Sequence, residues 1–585
     1  MNKNIKYTFR LGLLAMGVMG IAACSDTWDD HYDARPTTTF NGTTLQAIEQ
    51  EAPDFAAVIK KVGYDRELNS ENIYTIWAPT EFNVDSVNAV AAKDPKAVIE
   101  KFIKNHISRY AVSLDGTDRE ISLMSAKLLN MTGDGQFGPA TILKSNLSCD
   151  NGVIHVINKN VPYQNNIFEE IQSRFDPESE LLSMYSFLKA YDADSLDENK
   201  SVSRGVDDNG DKIWVDSVTI RNNTILNSID AQVYDEDSSF IAIIPSPEAY
   251  TARFELAKKL LIFNPSEDVV AEGACDSLQY YYGNMFSMSD LFFNRNANEH
   301  DIDSLKSTLY IPRKWEEHRY YAPYAEGGIL SPSKYTEKIN CSNGTAYVVD
   351  DYPMTVIEQF FKKIEVTASS YNLDLTTDAS DNPIYTKSVD TSFSTASGTI
   401  YDYETDENGD TIGYLGTRTY RYMDIKPASS TANPKFAFKV PNTLSGTYEL
   451  YLITCPIWAK TGYSNGETSA DDPRPYRFFT YIWERENSGS KMGRYPSSGK
   501  RIPNPDGSGN YFVTNVENKI DTLYLGDYSF KNAYYNRNDE GVLIQFDVQI
   551  SSSKTGEFSR EMLVSGLLLK PKFEAEEAAT ESKRR

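Results

Sequence analysis

The sequence predicts an α+β fold in which two α/β modules are followed by an all-β sandwich domain. Three observations predict it. Helical stripes and short apolar strands share the first part of the chain, a strand–turn pattern found there returns further along, and helical periodicity disappears from about residue 365. With 585 residues, 40% hydrophobic and 24% charged, the chain can build several domains, each with its own core.

The charge of the chain limits its partners. It has 58 basic and 83 acidic residues, a net charge of −25. A surface this acidic repels phosphate backbones and anionic lipid headgroups. We therefore expect no nucleic-acid partner.

Residues 1–23 have the pattern of an export signal. Lys3, Lys6 and Arg10 precede an apolar run too short to span a bilayer comfortably, which ends in small residues before Cys24. The junction resembles a bacterial lipobox, and the alternative is an ordinary signal peptide with an accidental cysteine. The resemblance implies lipidation of Cys24 and attachment to a membrane through this lipid anchor, without a spanning helix.

Residues 24–36 are expected to form an acidic tether after the lipidated cysteine. The acidic run over Ser25–Asp33 resembles the signal that sends lipoproteins of Bacteroidetes to the outer face of the outer membrane. The resemblance implies a lipid-anchored outer-membrane protein facing the extracellular side. The alternative is a solvated acidic tether with no sorting role.

Residues 37–174 contain helical and strand signals in a defined order. An apolar stripe at helical spacing comes first, at Phe55, Val58, Ile59 and Val62. A β-prone run over Tyr74–Thr80 follows, then a second helical stretch that includes His106. An Asn-Gly turn then leads into a strand over Asn151–Ile157.

These pieces resemble the fasciclin (FAS1) domain. Its first motif, Tyr-Thr-x-x-Ala-Pro-Thr, is matched by Tyr74–Thr80, and its second, Asn-Gly-x-x-His-x-Ile, by Asn151–Ile157. A histidine between the two motifs is typical of the family, and His106 fits. The resemblance covers about residues 37–174 and implies a non-catalytic adhesion or binding module.

The two motifs then recur. Phe240–Tyr250 repeats the first motif, and Cys341–Asp350 repeats the second, including a cysteine two residues before the Asn-Gly pair. The second copy is longer and carries Tyr347 where the first has His155. We predict a divergent fasciclin-like domain over residues 175–364.

The remainder of the chain is predicted to be all-β. Strand-like runs alternate with Asn-Gly, Asp-Gly and Ser-Gly turns over residues 365–573, which favours a β-sandwich. Residues 574–585 are charged and alanine-rich, and we expect a frayed tail.

No motif in the sequence indicates catalysis, a metal or a cofactor. The five histidines are scattered, without a helical metal-binding pair, and no nucleophile elbow, Walker loop or dinucleotide fingerprint occurs. The acidic turns Asp207–Asp211 and Asp406–Asp410 lack calcium-loop spacing and are read as hairpin turns. We therefore predict that the protein is not an enzyme and that His106 and His155 are structural.

The four cysteines beyond Cys24 are expected to be free thiols. Cys149 and Cys341 hold equivalent places in the two modules and are interpreted as small buried hydrophobes. A Cys275–Cys341 disulfide within the second module is left open.

Two clusters of aromatic residues could bind a ligand. The first comprises Tyr476, Phe478, Phe479, Tyr481 and Trp483, and the second comprises Tyr280, Tyr281 and Tyr282. Flat rings on a sandwich can stack on sugars, so the candidate ligand-binding residues are Tyr476, Phe479, Tyr481 and Trp483. The favoured alternative is core packing or protein–protein contact.

These inferences combine into one functional hypothesis. Fasciclin-like lipoproteins of such bacteria resemble accessories of SusC/SusD-like transporters, and the resemblance implies a protein that captures or presents a glycan or peptide nutrient beside that partner. One alternative is adhesion to host or neighbouring-cell matrix. A surface hydrolase is the less favoured one.

Overall fold

The structure, a computed structural model, describes residues 38–573 with internal gaps. The gaps are residues 70–71, 199–200, 208, 217–218, 264–271, 295–303, 309–317, 370–372, 375–390, 406–410, 458–473, 489–490, 495–497, 515, 517–518 and 536–540. Cys24, the acidic tether, the acidic turn Asp406–Asp410 and the tail over residues 574–585 therefore lie outside the described residues.

The first region, residues 38–161, is built on one eight-stranded sheet. Its strands are β1 (Thr38–Thr39), β2 (Tyr74–Pro79), β3 (Ile107–Ser108), β4 (Arg119–Ser122), β5 (Leu128–Met131), β6 (Gln136–Phe137), β7 (Ala140–Cys149) and β8 (Gly152–Ile157). Its helices are α1 (Thr44–Glu51), α2 (Pro53–Lys61), α3 (Asp65–Leu68), α4 (Val84–Lys93) and α5 (Pro95–Val98), followed by a π turn (Ile99–Ile103) and a 3₁₀ turn (Lys104–His106). The strand order is β3-β2-β8-β7-β6-β5-β4, with β1 beside β7.

The second region, residues 167–361, contains a four-stranded sheet and longer helices. Its strands are β9 (Ser195–Leu196), β10 (Val202–Val206), β11 (Lys212–Asp216), β12 (Thr219–Ile220), β13 (Phe240–Pro245), β14 (Phe292–Asn294), β15 (Ser304–Lys306), β16 (Arg319–Tyr321), β17 (Glu337–Cys341) and β18 (Gly344–Val349). Its helices are α6 (Ile167–Ser173), α7 (Met184–Leu188), a 3₁₀ turn (Lys189–Tyr191), α8 (Thr224–Ser228), α9 (Pro247–Leu260), α10 (Glu272–Met288) and α11 (Val356–Gln359). The main sheet has the order β14-β13-β18-β17.

The two regions contain the same parallel strand pair in the same register. In the first, β2 runs beside β8 from Tyr74 opposite Gly152 to Pro79 opposite Ile157. In the second, β13 runs beside β18 from Phe240 opposite Gly344 to Pro245 opposite Val349. Each pair therefore begins at the glycine of an Asn-Gly turn and ends at the proline of the repeated motif.

Each Asn-Gly turn also fixes the first helix of its region. The Asn151 side chain accepts a hydrogen bond from the Thr44 N–H at the start of α1, at 2.8 Å. The Asn343 side chain accepts one from the Ile167 N–H at the start of α6, at 3.0 Å. Both helices also carry a capping box. The same hydrogen bond from helix N-terminus to asparagine side chain therefore joins the first helix to the Asn-Gly turn in both regions.

The C-terminal region, residues 364–573, is all-β except for one 3₁₀ turn (Ser552–Lys554) in its described part. Its strands are β19 (Ile364–Thr367), β20 (Leu373–Asp374), β21 (Thr391–Thr405), β22 (Thr411–Pro427), β23 (Lys435–Val440), β24 (Thr447–Thr454), β25 (Arg477–Glu484), β26 (Glu486–Ser488), β27 (Lys491–Arg494), β28 (Lys500–Ile502), β29 (Phe512–Val513), β30 (Asp521–Ser529), β31 (Val542–Val548) and β32 (Met562–Lys572). One six-stranded sheet has the order β21-β22-β32-β24-β30 with β19 beside β32, and the other has β20-β23-β31-β25-β28 with β29 beside β25.

The cores divide the chain differently from the sheets. The first region has two cores of its own, one under its helices and one around Trp77 and Phe137. A single continuous core then runs from Ile167 through both C-terminal sheets. Helix α6 belongs to this continuous core, so the change of core falls before the predicted boundary at residue 174.

The predicted mixture of helices and strands in several sheets is confirmed. The finer plan, two fasciclin-like domains followed by a β-sandwich, stays a prediction. Among the described helices, none is long and apolar enough to cross a membrane.

Candidate functional site: an aromatic–arginine face

Strand β25 has two different faces because successive residues of a strand point to opposite sides. Phe478, Thr480 and Ile482 are buried, and the Phe478 ring packs against Phe512 and Phe546 with ring centroids 5.8 and 5.5 Å apart. The alternate residues lie on the outer face of the sheet. They are Arg477, Phe479, Tyr481 and Trp483.

The registers of the neighbouring strands show what shares this outer face. Across β31, Phe479 lies opposite Asp547, Tyr481 opposite Gln545 and Trp483 opposite Leu543. On the other side Tyr481 lies opposite Arg501 of β28. Beyond β31, strand β23 adds Lys435, Ala437 and Lys439 opposite the same three β31 residues.

Two arginines lie against the aromatic rings of this face. The guanidinium carbon of Arg501 is 4.9 Å from the ring centroid of Phe479 and 5.3 Å from that of Tyr481, and Nη2 donates a 2.9 Å hydrogen bond to the Tyr481 hydroxyl. The Arg477 guanidinium carbon is 4.0 Å from the ring centroid of Tyr511. We call these five residues, Arg477, Phe479, Tyr481, Arg501 and Tyr511, the aromatic–arginine face.

A buried polar chain lies beside this face. The Trp483 indole N–H donates to Gln545 Oε1 at 2.6 Å, and Gln545 Nε2 donates to Asp547 Oδ1 at 2.6 Å. Burial raises the pKa of Asp547, although the nearby Lys435 ammonium and the hydrogen bond from Gln545 oppose the shift. Trp483 is only 6% exposed, and a Cβ on Gly499 would come within 2.6 Å of its ring, so the backbone at Gly499 covers the indole.

The structure therefore separates the four predicted ligand-binding residues. Phe479 and Tyr481 are half-buried and lie together on the aromatic–arginine face. Trp483 is beside them but covered. Tyr476 is buried, its hydroxyl donates to the Cys455 carbonyl at 3.3 Å, and it lines a separate small cavity with Cys455 and Arg474.

Sequence reasoning missed the two arginines. Arg501 is distant in sequence from Phe479 and Tyr481, and only the β25–β28 register brings them together. The placement of Tyr476, by contrast, follows from the period of a strand: it is three residues from Phe479 and so points to the opposite face. That signal was present in the sequence.

The second aromatic cluster, Tyr280–Tyr282, lies on helix α10, where Tyr281 and Tyr282 pack against the core and Tyr280 is 43% exposed. Tyr280 contacts Phe187 and Phe254 with ring centroids 6.1 and 5.8 Å apart, and Tyr282 contacts Tyr535 at 5.1 Å. The contact of Tyr282 with Tyr535 joins the second region to the C-terminal region.

The two motif histidines are buried and fully hydrogen-bonded. The Val161 N–H donates to His106 Nε2 at 2.9 Å, so Nδ1 carries the proton and donates to the Phe102 carbonyl at 2.7 Å. His155 Nε2 lies 2.9 Å from the Val112 carbonyl, and its ring stacks on Trp77. Burial lowers the pKa of His106 to about 4 and lowers that of His155, so both rings are neutral at physiological pH.

A third histidine forms a carboxylate–imidazole pair. His318 Nδ1 lies 2.6 Å from Oδ2 of the buried Asp290, and the Tyr320 hydroxyl donates to the same oxygen at 3.1 Å. The other ring nitrogen lies 3.5 Å from the Lys362 ammonium. The Lys362 ammonium thus lies where a catalytic triad would have its hydroxyl or thiol nucleophile.

The four cysteines that the structure describes are free. Burial raises the pKa of Cys149 to about 11 and that of Cys341 and Cys455 to about 12, which suppresses thiolate chemistry. Over the same part of the chain, no group of three or more His, Cys, Asp or Glu side chains is arranged to hold a metal ion. The Asp207 carboxylate accepts from the backbone N–H of Asn209 and Asp211, as expected for a hairpin turn.

Comparison with known proteins identifies one segment of the chain. Residues 50–161 match the fasciclin domain family. Among solved structures, a FAS1 domain pair from the insect cell adhesion molecule fasciclin I is similar at 12% identity, over 53% of this chain and 99% of that chain, with a TM-score of 0.19. That likeness is too low to carry an argument.

No curated protein matches the chain. The matched segment nevertheless contains both motifs, the last two residues of helix α1 and the β2–β8 strand pair, and it ends where the first region's cores end. Residues 50–161 are therefore the part of the chain that is similar to the fasciclin domain family.

Proposed function

We propose that this protein is a non-catalytic surface lipoprotein that binds a glycan or peptide nutrient through the aromatic–arginine face of its C-terminal region. In this proposal Cys24 carries the lipid, and residues 24–36 tether the protein to the extracellular side of the outer membrane. The observation that supports binding is the accessible set of rings and guanidiniums on β25 and its neighbours. Such rings offer flat apolar surface for a sugar or a side chain.

The proposal includes a plan of the chain. The shared register of β2–β8 and β13–β18 supports a second, divergent fasciclin-like domain, and the two six-stranded sheets support a β-sandwich. We further propose that the protein acts as an accessory to a SusC/SusD-like transporter, because a tethered binder raises the ligand concentration beside the entry port.

Binding is tested with the full-length protein in detergent against panels of polysaccharides and peptides. The Phe479→Ala/Tyr481→Ala double variant should lose at least tenfold in affinity for the bound ligand. A matched control is Tyr451→Ala/Tyr524→Ala, which removes two contacting tyrosines from the other six-stranded sheet. Equal loss in both double variants would contradict the assignment of the site.

Docking is tested by gentle detergent extraction of the tagged lipoprotein from its native outer membrane, followed by mass spectrometry. Stoichiometric recovery of a TonB-dependent transporter and its lid lipoprotein would support the accessory role. Recovery of the protein alone would contradict it.

Adhesion is the second candidate, because a fasciclin domain suggests a cell-adhesion-like or surface protein. It predicts that cells lacking the protein lose attachment to matrix while soluble glycan and peptide binding by the purified protein is absent. Turnover of any glycan or peptide by purified protein would instead establish a hydrolase.

A further inference from the structure

The aromatic–arginine face differs in charge from the rest of the molecule. Four cationic side chains, Lys435, Lys439, Arg477 and Arg501, point to the outer side of this sheet from its strands, whereas β31 supplies one carboxylate there, Asp547, and β20 places Asp374 opposite Ala437. The whole chain has a net charge of −25. A positive surface on so acidic a protein is a local exception.

The Asp547 carboxylate of this surface is already matched. Asp547 Oδ2 lies 3.7 Å from the Lys435 ammonium, and Oδ1 accepts from Gln545. Within the part of the chain that the structure describes, neither Arg477 nor Arg501 has a carboxylate within 4 Å. Their positive charges are therefore not neutralised by a direct ion pair.

The two guanidiniums are also held in place. Arg501 lies against Phe479 and Tyr481, and its hydrogen bond to the Tyr481 hydroxyl leaves further N–H groups of an exposed side chain for a ligand. The Arg477 guanidinium carbon lies 4.0 Å from the ring centroid of Tyr511 and 5.4 Å from that of Phe558. A guanidinium restrained on aromatic rings gives up less conformational entropy on binding, and its planar fork matches a carboxylate.

From this geometry we infer that the ligand is an acidic glycan, a polysaccharide whose sugar rings carry carboxylate groups. The inference rests on the proposed binding function and names its ligand class. The sugar rings stack on Phe479 and Tyr481, and the carboxylates pair with Arg501 and Arg477. The acidity of the remaining surface repels polyanions, so binding at this face would require specific contacts.

The test measures affinity of the full-length protein for three probes: polygalacturonate, the same polymer after reduction of its carboxyl groups, and dextran sulfate. We expect binding to polygalacturonate, at least tenfold weaker binding to the reduced polymer, and weaker binding in high salt. Binding of dextran sulfate without polygalacturonate would overturn the carboxylate assignment.

The decisive variant is Arg501→Lys, which keeps the charge and loses the planar fork. We expect at least a tenfold loss for polygalacturonate, and a similar loss for Arg477→Gln. Arg119→Lys, at a surface arginine of the first region paired with Asp115, should leave the affinity unchanged. Since Arg501 is exposed, its variant should fold, which far-ultraviolet circular dichroism would check.

The outcomes separate this inference from the proposed function. If reduced polygalacturonate or another neutral glycan binds as well as the acidic polymer, and Phe479→Ala/Tyr481→Ala abolishes that binding, the acidic ligand is wrong and the binding function stands. If the protein binds no member of the polysaccharide and peptide panels, both are wrong. An Arg501→Lys variant with wild-type affinity would overturn the role of the guanidinium.

Discussion

The strand pairs β2–β8 and β13–β18 share a register and differ in what fills the space around it. At matching positions the first has Trp77 opposite His155, and the second has Ile243 opposite Tyr347. His155 stacks on Trp77, whereas Tyr347 packs against Tyr335 with ring centroids 5.0 Å apart. The backbone arrangement thus depends on the Asn-Gly turn, while the core residues beside it are free to change.

The two regions also differ in how their cores are closed. The first region buries its apolar residues within its own helices and sheet. The second buries Phe361 against Tyr448 and Phe286 against Tyr535, both tyrosines belonging to the C-terminal region. The first region should therefore unfold independently, and the second only together with the C-terminal sheets.

The largest expected effect tests the shared register. A Cβ on Gly152 would lie 2.0 Å from the Tyr74 carbonyl oxygen, and one on Gly344 would lie 1.9 Å from that of Phe240. Both glycines also have positive φ. We expect Gly152→Ala and Gly344→Ala each to cost at least about 5 kcal/mol of the free energy of unfolding, since the backbone must move.

Calorimetry with limited proteolysis would assign each loss to its region. Gly116→Ala is the control, because Gly116 has φ of +93° with no atom within 4 Å of the added Cβ, and its cost should be about 1 kcal/mol. A mild effect of either test substitution would contradict the close strand approach.

The next effect concerns the junction between the two regions. The ammonium of Lys127, whose side chain is only 5% exposed, lies 2.7 Å from Glu169 Oε2 and 2.6 Å from Glu236 Oε1. Burial alone would raise the pKa of Glu169. The Lys127 charge and the hydrogen bonds that the Glu169 carboxylate accepts instead hold this pKa below its ordinary value. Lys127→Met leaves two carboxylates without their cation and should cost about 3 to 5 kcal/mol.

The same variant should widen the gap between the thermal transitions of the first and second regions. Lys144→Met is the matched control, because Lys144 is 61% exposed and pairs with Glu51 at the surface, where an ion pair contributes little. Equal destabilisation by both variants would show that the buried network does not join the regions. The contribution of Glu169 should be present above its ordinary pKa and lost as pH falls through its lowered value.

The third prediction uses the histidines of the first region. The pKa of buried His106 is about 4, below the ordinary value of about 6.5, so the unfolded chain takes up a proton first as pH falls. The contribution of neutral His106 to the free energy of unfolding is complete above about pH 6.5. It decreases by up to about 3 kcal/mol as the pH falls toward about 4. His106→Gln should flatten this dependence.

The second region supplies the internal comparison, since Tyr347 occupies the place of His155 there. Its transition should change less between pH 6.5 and 5 in the same calorimetric scans. Parallel slopes in the two regions would refute the assignment of acid sensitivity to the buried histidines.

The smallest effect compares the equivalent cysteines. The higher pKa of Cys341, about 12 against about 11 for Cys149, and its deeper burial should make it the slower of the two to react with iodoacetamide at pH 8. Both should react more slowly than free cysteine, and unfolding in urea should equalise them. Faster labelling of Cys341 would reverse the expected order.

The sequence was most informative where local pattern and geometry coincide. The motif strands, the Asn-Gly turns and the buried histidines can be recognised from short stretches of sequence, because register and burial there depend on residues that are close along the chain. The contacts of Lys127 were not predictable, since Glu169, Glu236 and Ser342 lie 42, 109 and 215 residues away along the chain. The pairing of Arg501 with Tyr481 likewise depends on which strands become neighbours.

The continuous core beyond Ile167 has a consequence for how such a gene can be reshuffled. A recombination joint between residues 161 and 167 would transfer both cores of the first region complete and leave the continuous core beyond it intact. A joint near residue 362 would separate Phe361 from Tyr448 and Phe286 from Tyr535, so that both buried ring contacts would be lost. Descendants should therefore exchange the first region more readily than they separate the second region from the C-terminal sheets, which are inherited as one unit.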